Sequence, residues 1–551
     1  VGTLNANQLI KGAEDKKSAR TPFERDWQRI NKLIYPLGTG FGGDTALGAS
    51  SHEAVLDNTA ELASELLAAA LHGMLTNPAT KWFAIRAQND KLNENERVAV
   101  WLEQVAGIMY SVFNSPRLNF APQQHEKNMD LVNYGTGCMF IAEKNGEWPI
   151  FQTRALSEIY LGEDGEGRVD KVDRWFKLSA EQAVSKFKGN PGDKVAEFAA
   201  SDDPKKRAHE FEFIHCTGPR TERDPGKGDN LNMPFMSAYV NVDEKHLISE
   251  SGYPEWPWTT PRWTKRAREP YGRGCGHKAM RDTSMLQRSM KVQIRGVEKL
   301  VDPPLQVPDD GVFGSIRMTS AAINHVRADL LQYPGGGIRP ISTGARPDIG
   351  EDFMGGSRER IERSFYNHLL QMMRDPRMTA TQVIQIAEET LRVLGPMLGR
   401  MQSEDLGPMV DRVFAILQRA GAFPPPPPEL DNQELKVEYV SPVAKAQRLS
   451  EARGVTQTLE VMAPIIQADP TVLDNVENDL TFRHVAELFD WPMDTLRAAD
   501  RVIEIRKGRA EAAQQEAQKQ DLIEGAGAAA KLLPAMAGGN GGMGAAQGGV
   551  Q

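Results

Sequence analysis

At 551 residues the chain exceeds one ordinary domain and calls for two to four structural units. With 40% hydrophobic and 25% charged residues it can bury its own cores, and a net charge of −9 excludes a globally basic nucleic-acid binder. The three cysteines, Cys138, Cys216 and Cys275, are widely spaced and form no CxxC pair. That excludes a disulfide framework and a structural zinc site, and it points to assembly in a reducing compartment.

The first residues, VGTLNANQLIKGAEDKK, lack the apolar core of a signal peptide. The most apolar early run, Leu62–Leu75, carries Glu65 and His72 and is shorter than a bilayer crossing, so a soluble protein without a membrane segment is expected. Residues 1–130 read as mainly helical. Thr21-Pro22 is predicted to open a helix through Phe23–Tyr35, because proline suits a first turn. After a glycine-rich loop, Gly38–Gly48, an amphipathic helix is expected from about Glu53 to Met74. Another is expected from Asn93 to Asn114, ending near Pro116.

From residue 131 the spacing changes to alternation. Asn145-Gly146 and Asp164-Gly165 each separate alternating runs and predict hairpins, since these pairs tolerate the positive φ of a tight turn. Residues 131–260 therefore read as a β-rich unit with one short helix, Ser179–Phe187. A helix follows from Gly276 to Val301, about 39 Å long at 1.5 Å per residue. Its apolar stripe is Leu286, Met290, Ile294, Val297 and Val301, and a second stripe is basic: Arg288, Lys291, Arg295 and Lys299. Pro303-Pro304 ends it and opens an irregular or β segment, 303–346. A further helix spans about Asp348–Met372, with Ile361, Phe365, Leu369 and Met372 on one face. After the loop MRDPRM, the capping pattern Thr379-x-x-Gln382 starts a long helix to about Ala420, with kinks expected at Gly395-Pro396 and Gly407-Pro408. Five prolines (424–428) break it. ELKVEYV (434–440) reads as a strand, helices resume to about 520, and the Gly/Ala-rich stretch from Gly525 holds too little apolar bulk to order itself.

Motifs for catalysis are missing. There is no GxxxxGK[ST] phosphate loop, no HExxH and no GxSxG elbow. One GxGxxG, at Gly38, Gly40 and Gly43, follows a helical segment instead of a strand, so it reads as a loop and not as a dinucleotide site. His215 and Cys216 are adjacent in a strand pattern and face opposite ways, which prevents joint ligation of a metal. Glu388-Glu389 reads as solvated charge. No cofactor, no metal and no catalytic residue is expected. Taken alone, the basic stripe is the wet face of an amphipathic helix, and Arg374 and Arg377 are ordinary loop arginines.

Four stretches carry a resemblance: DNTAELASELLAAALHGMLTNPATKWF (57–83), NYGTGCMFI (133–141), MTATQVIQIAEETLRVLGPMLGRMQSEDLGPMVDRVFAIL (378–417) and VEYVSPVAKAQR (437–448). In content and order they resemble the portal, or head-to-tail connector, proteins of short-tailed DNA phages. The resemblance implies an α+β, mainly α fold. Residues 1–130 would be the helical part of a wing and 131–270 its β-rich part, with 271–302 the first stem helix and 303–346 the clip. The second stem helix would be 347–372 and the tunnel loop 373–381. Residues 382–442 would be the kinked helix and return strand of the wing, and 443–520 a crown or barrel ahead of the tail 521–551.

It further implies a homo-oligomeric ring, typically a dodecamer, at one capsid vertex, passing double-stranded DNA during packaging and ejection. The implied partners are the major capsid and scaffolding proteins, the terminase large subunit and a tail adaptor protein. The virion is the implied location, with assembly in the host cytoplasm. In that setting Arg374 and Arg377, with some of Arg288, Lys291, Arg295 and Lys299, would face DNA and hold phosphates without reading bases. Leu286, Met290, Ile294 and Val297 would pack on Phe365 and Leu369 or on a neighbouring subunit. The other readings are a structural or scaffolding virion protein without a channel, and a DNA-packaging enzyme subunit.

Overall fold

The computed structural model describes residues 4–36, 40–41, 55–93, 95–144, 148–188, 191–309, 317, 319–327, 339–340, 347–368, 392–430, 433, 435–439, 442–469, 476–488, 491, 497 and 501–515. The fold is α+β and mainly α. Its contacts divide into two compact units, one of residues 1–92 with 101–448 and the other of 93–100 with 449–551.

The first unit opens with α1 (Ala6–Leu33), which is far longer than the sequence pattern suggests. The Asn5 side chain accepts from the Asn7 amide and starts the helix there, leaving Pro22 inside it. Pro22 removes one amide donor, but Trp27 and Ile30, both fully buried, hold the following turns against the core. Arg20 is buried too, and its guanidinium donates to the carbonyls of Leu156, Ser157 and Ile159 at 2.8–2.9 Å, tying α1 to the β-rich part. Next comes α2 (Thr59–Leu75), which starts later than the expected Glu53. Gln287 explains the late start: its Oε1 accepts from the Leu56 and Asp57 amides at 2.7 and 3.0 Å, and its Nε2 donates to the Asp57 carbonyl at 2.6 Å. That backbone is thereby committed elsewhere.

Strand β1 (Phe83–Ala87) precedes the short α3 (Asp90–Asn93), α4 (Glu96–Phe113) and α5 (Phe120–Tyr134). Gly135 ends α5 at φ 88°, and a Cβ there would lie 2.3 Å from the Gly274 amide nitrogen. Gly135 of the NYGTGC stretch is thus spent on a close backbone crossing, where the end of α5 meets the start of a later helix, while Gly137 packs against Lys127 of α5 itself.

Both expected hairpins form: β2 (Met139–Lys144) pairs antiparallel with β3 (Trp148–Thr153), and β4 (Ile159–Glu163) with β5 (Val169–Ser179). A single short helix was expected in this region; three occur, α6 (Ala180–Lys186), α7 (Asp193–Ala199) and α8 (Pro204–Arg207). Ser179 and Gln182 close a capping box on α6. With β6 (Glu210–Pro219), β7 (Phe235–Asn241) and β8 (His246–Tyr253) a five-stranded antiparallel sheet runs in chain order from β4 to β8. The short β9 (Trp258–Thr259) completes a second sheet, ordered β3-β2-β9.

Helix α9 (Cys275–Val301) matches its expected span. Strands β10 (Leu305–Asp309), β11 (Ile323–Arg327) and β12 (Arg339–Pro340) form a small sheet ordered β11-β10-β12. Helix α10 (Pro347–Ser364) is followed by a turn at Phe365 and Tyr366, where Tyr366 adopts φ 58° and the Phe365 and Tyr366 amides tighten onto carbonyls three residues back, and residues 367–368 are helical again. Residues 369–372 lie outside those described. Of the expected long helix, 392–401 are helical, 402–406 form a π turn, and α11 (Gly407–Arg419) continues to near the predicted end. The kink expected at Gly407-Pro408 thus takes the form of a π turn just before Pro408. Strand β13 (Leu435–Tyr439) pairs antiparallel with β1. Helix α12 (Pro442–Ala468) leads into the second unit, where α13 (Asn478–Leu488) is joined to the helical residues 501–515 by Arg506 on Asp479 at 2.6 and 2.7 Å.

Candidate channel and assembly face

Helices α9 and α10 run antiparallel and in contact. Arg360 pairs with Asp282 at 2.9 Å, and a Cβ on Gly350 would strike the Gln293 side chain. At about 100° per residue the basic and apolar stripes of α9 fall on roughly opposite faces. Arg288, Lys291 and Arg295 are exposed and Lys299 half-buried, and none of the four makes an ion pair among the described residues. The apolar stripe divides along its length. Leu286 is buried in the same cluster as Phe365, and Met290 packs on that cluster, so the upper stripe is used within the chain. Lower down, Ile294 and Val297 are each 40% exposed and Val301 81%. They line a shallow groove of about 510 Å³ with Ser320. Gly350, in the first turn of α10, meets Gln293, so Val297 and Val301 lie beyond the start of α10 at Pro347. On α10, Ile349 and Phe353 are also exposed. Leu369 and the loop arginines Arg374 and Arg377 lie outside the described residues.

Among the described residues no group of three His, Cys, Asp or Glu side chains could hold a metal, and no helix is long and apolar enough to cross a membrane. Gly38 and Gly43 of the GxGxxG lie outside the described residues. His215 is buried, stacked on Tyr239 at 4.2 Å and bonded to Ser237 Oγ at 2.9 Å; burial and nearby cations push its pKa down to about 3, so it stays neutral.

A family model described as bacteriophage head to tail connecting protein matches residues 6–496. This chain belongs to that family. It is 30% identical to the "Probable portal protein" of Bordetella phage BPP-1 over 94% of this chain and 93% of that one. It is 27% identical to the "Portal protein" of Salmonella phage epsilon15 over 96% and 95% of the two chains.

In this head-to-tail connecting protein the sequence reading missed a set of ion pairs that fasten the π turn and α11 to the β-rich part. Asp405 pairs with Lys127 of α5, both side chains fully buried, and Gln124 Nε2 donates to the same carboxylate at 3.3 Å. Burial lowers the Lys127 pKa, and Asp405 pulls it back. Its neighbour Glu404 takes Arg262 through both Nε (3.1 Å) and Nη2 (2.6 Å), while Arg262 also reaches Glu163. Adjacent residues of a helix project in directions about 100° apart, so the neighbouring acids Glu404 and Asp405 reach two separate cations. Arg412 and Arg419 then both engage Glu255, and Arg419 engages Glu143 at 2.9 Å. The only sequence signal was an acidic pair just before Gly407-Pro408, and it carried no hint of its partners.

Proposed function

We propose that the chain is one subunit of a closed ring, a dodecamer by analogy with the family, through which double-stranded DNA enters and leaves the capsid. In this reading α9 and α10 are the stem, 131–270 the β-rich wing, 303–346 the clip, 373–381 the tunnel loop and 443–520 the crown. The subunit acts as conduit and attachment point, not as an enzyme. A terminase ATPase and a tail adaptor would meet the clip, and capsid and scaffolding proteins would surround the wing.

The observation that carries the proposal is the uncovered lower stripe of α9 (Ile294, Val297, Val301), together with Ile349 and Phe353 on α10. Apolar side chains left bare on two adjacent helices suit a head-to-tail contact between copies, which closes into a ring when the rotation per subunit divides a full turn. The opposite, basic face then lines the channel. Each cation is repeated in every copy, giving a collar that holds phosphates without reading sequence.

Electron microscopy of the purified chain, viewed down the symmetry axis, tests this. Closed rings with an open channel are expected, and Val297→Asp with Val301→Asp should leave monomers of unchanged fold. A filament or compact oligomer in place of a ring would overturn it.

A further inference from the structure

Away from α9, a cleft of about 880 Å³ opens between the start of α5 and the end of β3. Its walls include Arg117, Asn119, Gln123, Trp148, Gln152 and Arg154, and among the described residues no carboxylate lines it. Arg154 Nη2 donates to Gln152, but its Nε is buried without a hydrogen-bond partner. Arg117 is exposed and makes no ion pair among the described residues. Behind Arg154 stand Arg174, over the Phe176 ring at 4.5 Å, and Lys186, over the same ring at 4.2 Å. One carboxylate, Glu158, answers them, and Arg174 already holds it at 2.7 Å. Crowding of like charge adds to burial in lowering Arg154 to about 10 and Lys186 to about 8. In a chain of net charge −9 this is a local excess of positive charge, with one guanidinium donor left unused.

We propose that this cleft is a docking site for an acidic segment of a partner protein. Its carboxylates would be received by Arg154 and Arg117, and an apolar side chain would rest on Trp148 and Ile150. Arginine receives a carboxylate through charge-assisted N–H donors, and Arg117 is exposed to supply them. Trp148, 46% exposed, supplies the aromatic anchor that peptide recognition favours. Strand addition is not the mode. Although β3 is the edge of its sheet, Pro149 lacks a donor and the Thr153 amide is already taken by Gln123 Oε1. Nucleic acid fits less well: two lining cations would neutralise only about two phosphates, and non-specific affinity grows with the number neutralised.

The test is a selection from a pool of eight-residue peptides bearing Asp or Glu at alternate positions and varied apolar residues between. It uses the full chain, with single-stranded oligothymidylate and inorganic phosphate as competitors. An acidic consensus with a bulky apolar residue is expected. Its affinity should fall about tenfold or more in Arg117→Glu, an exposed position that cannot disturb folding, and similarly in Arg154→Gln. Peptides retained equally by both variants, or no enrichment at all, would overturn the proposal. Displacement by oligothymidylate at lower concentration than by acidic peptide would assign the cleft to nucleic acid instead.

Discussion

At the scale of single residues the most unusual group is Asp130 on α5. It is buried beside Glu126, Tyr35 and Tyr134, and only the Leu156 amide donates to it. Burial first, and the Glu126 charge second, raise its pKa to about 8. The unfolded carboxyl ionises near 3.9, so between about pH 4 and pH 8 the unfolded state gives up a proton that the folded state keeps. This group's contribution is therefore complete below pH 4, declines as pH rises, and is gone above about pH 8. Asp130→Asn keeps the shape and removes the titration. Thermal unfolding midpoints followed from pH 5 to 9 should fall less steeply in that variant than in the parent chain. No sequence pattern marked Asp130, because solvated and buried acids on a helix look the same until the neighbouring elements are placed.

Between elements, the contact that fixes the kinked helix is the Lys127–Asp405 pair. Removing one partner leaves a charge stranded where neither side chain meets water, so Asp405→Ala should cost about 3–5 kcal/mol of stability in urea unfolding. Lys127→Met with Asp405→Leu together should return most of that loss, because the desolvation of both ions disappears with the pair. Equal destabilisation by the single and double variants would show that the pair contributes through shape and not through charge. Helix and hairpin boundaries such as those of α9 and β2–β3 were legible, since 3.6-residue and two-residue spacings report burial directly. Strand β1 was not. FAIRA has no turn signal of its own, and it becomes a strand only because β13, some 350 residues later, supplies its hydrogen bonds. The early start of α1 was misread for a related reason: Pro22 looks like a beginning unless the fully buried Trp27 and Ile30 are known to hold the helix across it.

For the whole molecule, the proposed channel predicts an effect on packaging. Arg374→Ala with Arg377→Ala should leave rings intact in electron microscopy and lower the amount of DNA packaged or retained per particle. Unchanged packaging would remove those two arginines from the channel. The sequence by itself determined the family, through four long stretches in fixed order, and with it the α+β, mainly α class. It also determined that α9 carries opposed basic and apolar stripes, because that follows from spacing along one helix. Only the tertiary structure decided which part of the apolar stripe is spent inside the chain, since that depends on where α10 begins beside α9. It alone also paired Lys127 with Asp405 and left Arg154 with a free donor. Charges are written in the sequence, but the partners that neutralise them come from residues far apart in the chain, and burial decides which of those pairings matter.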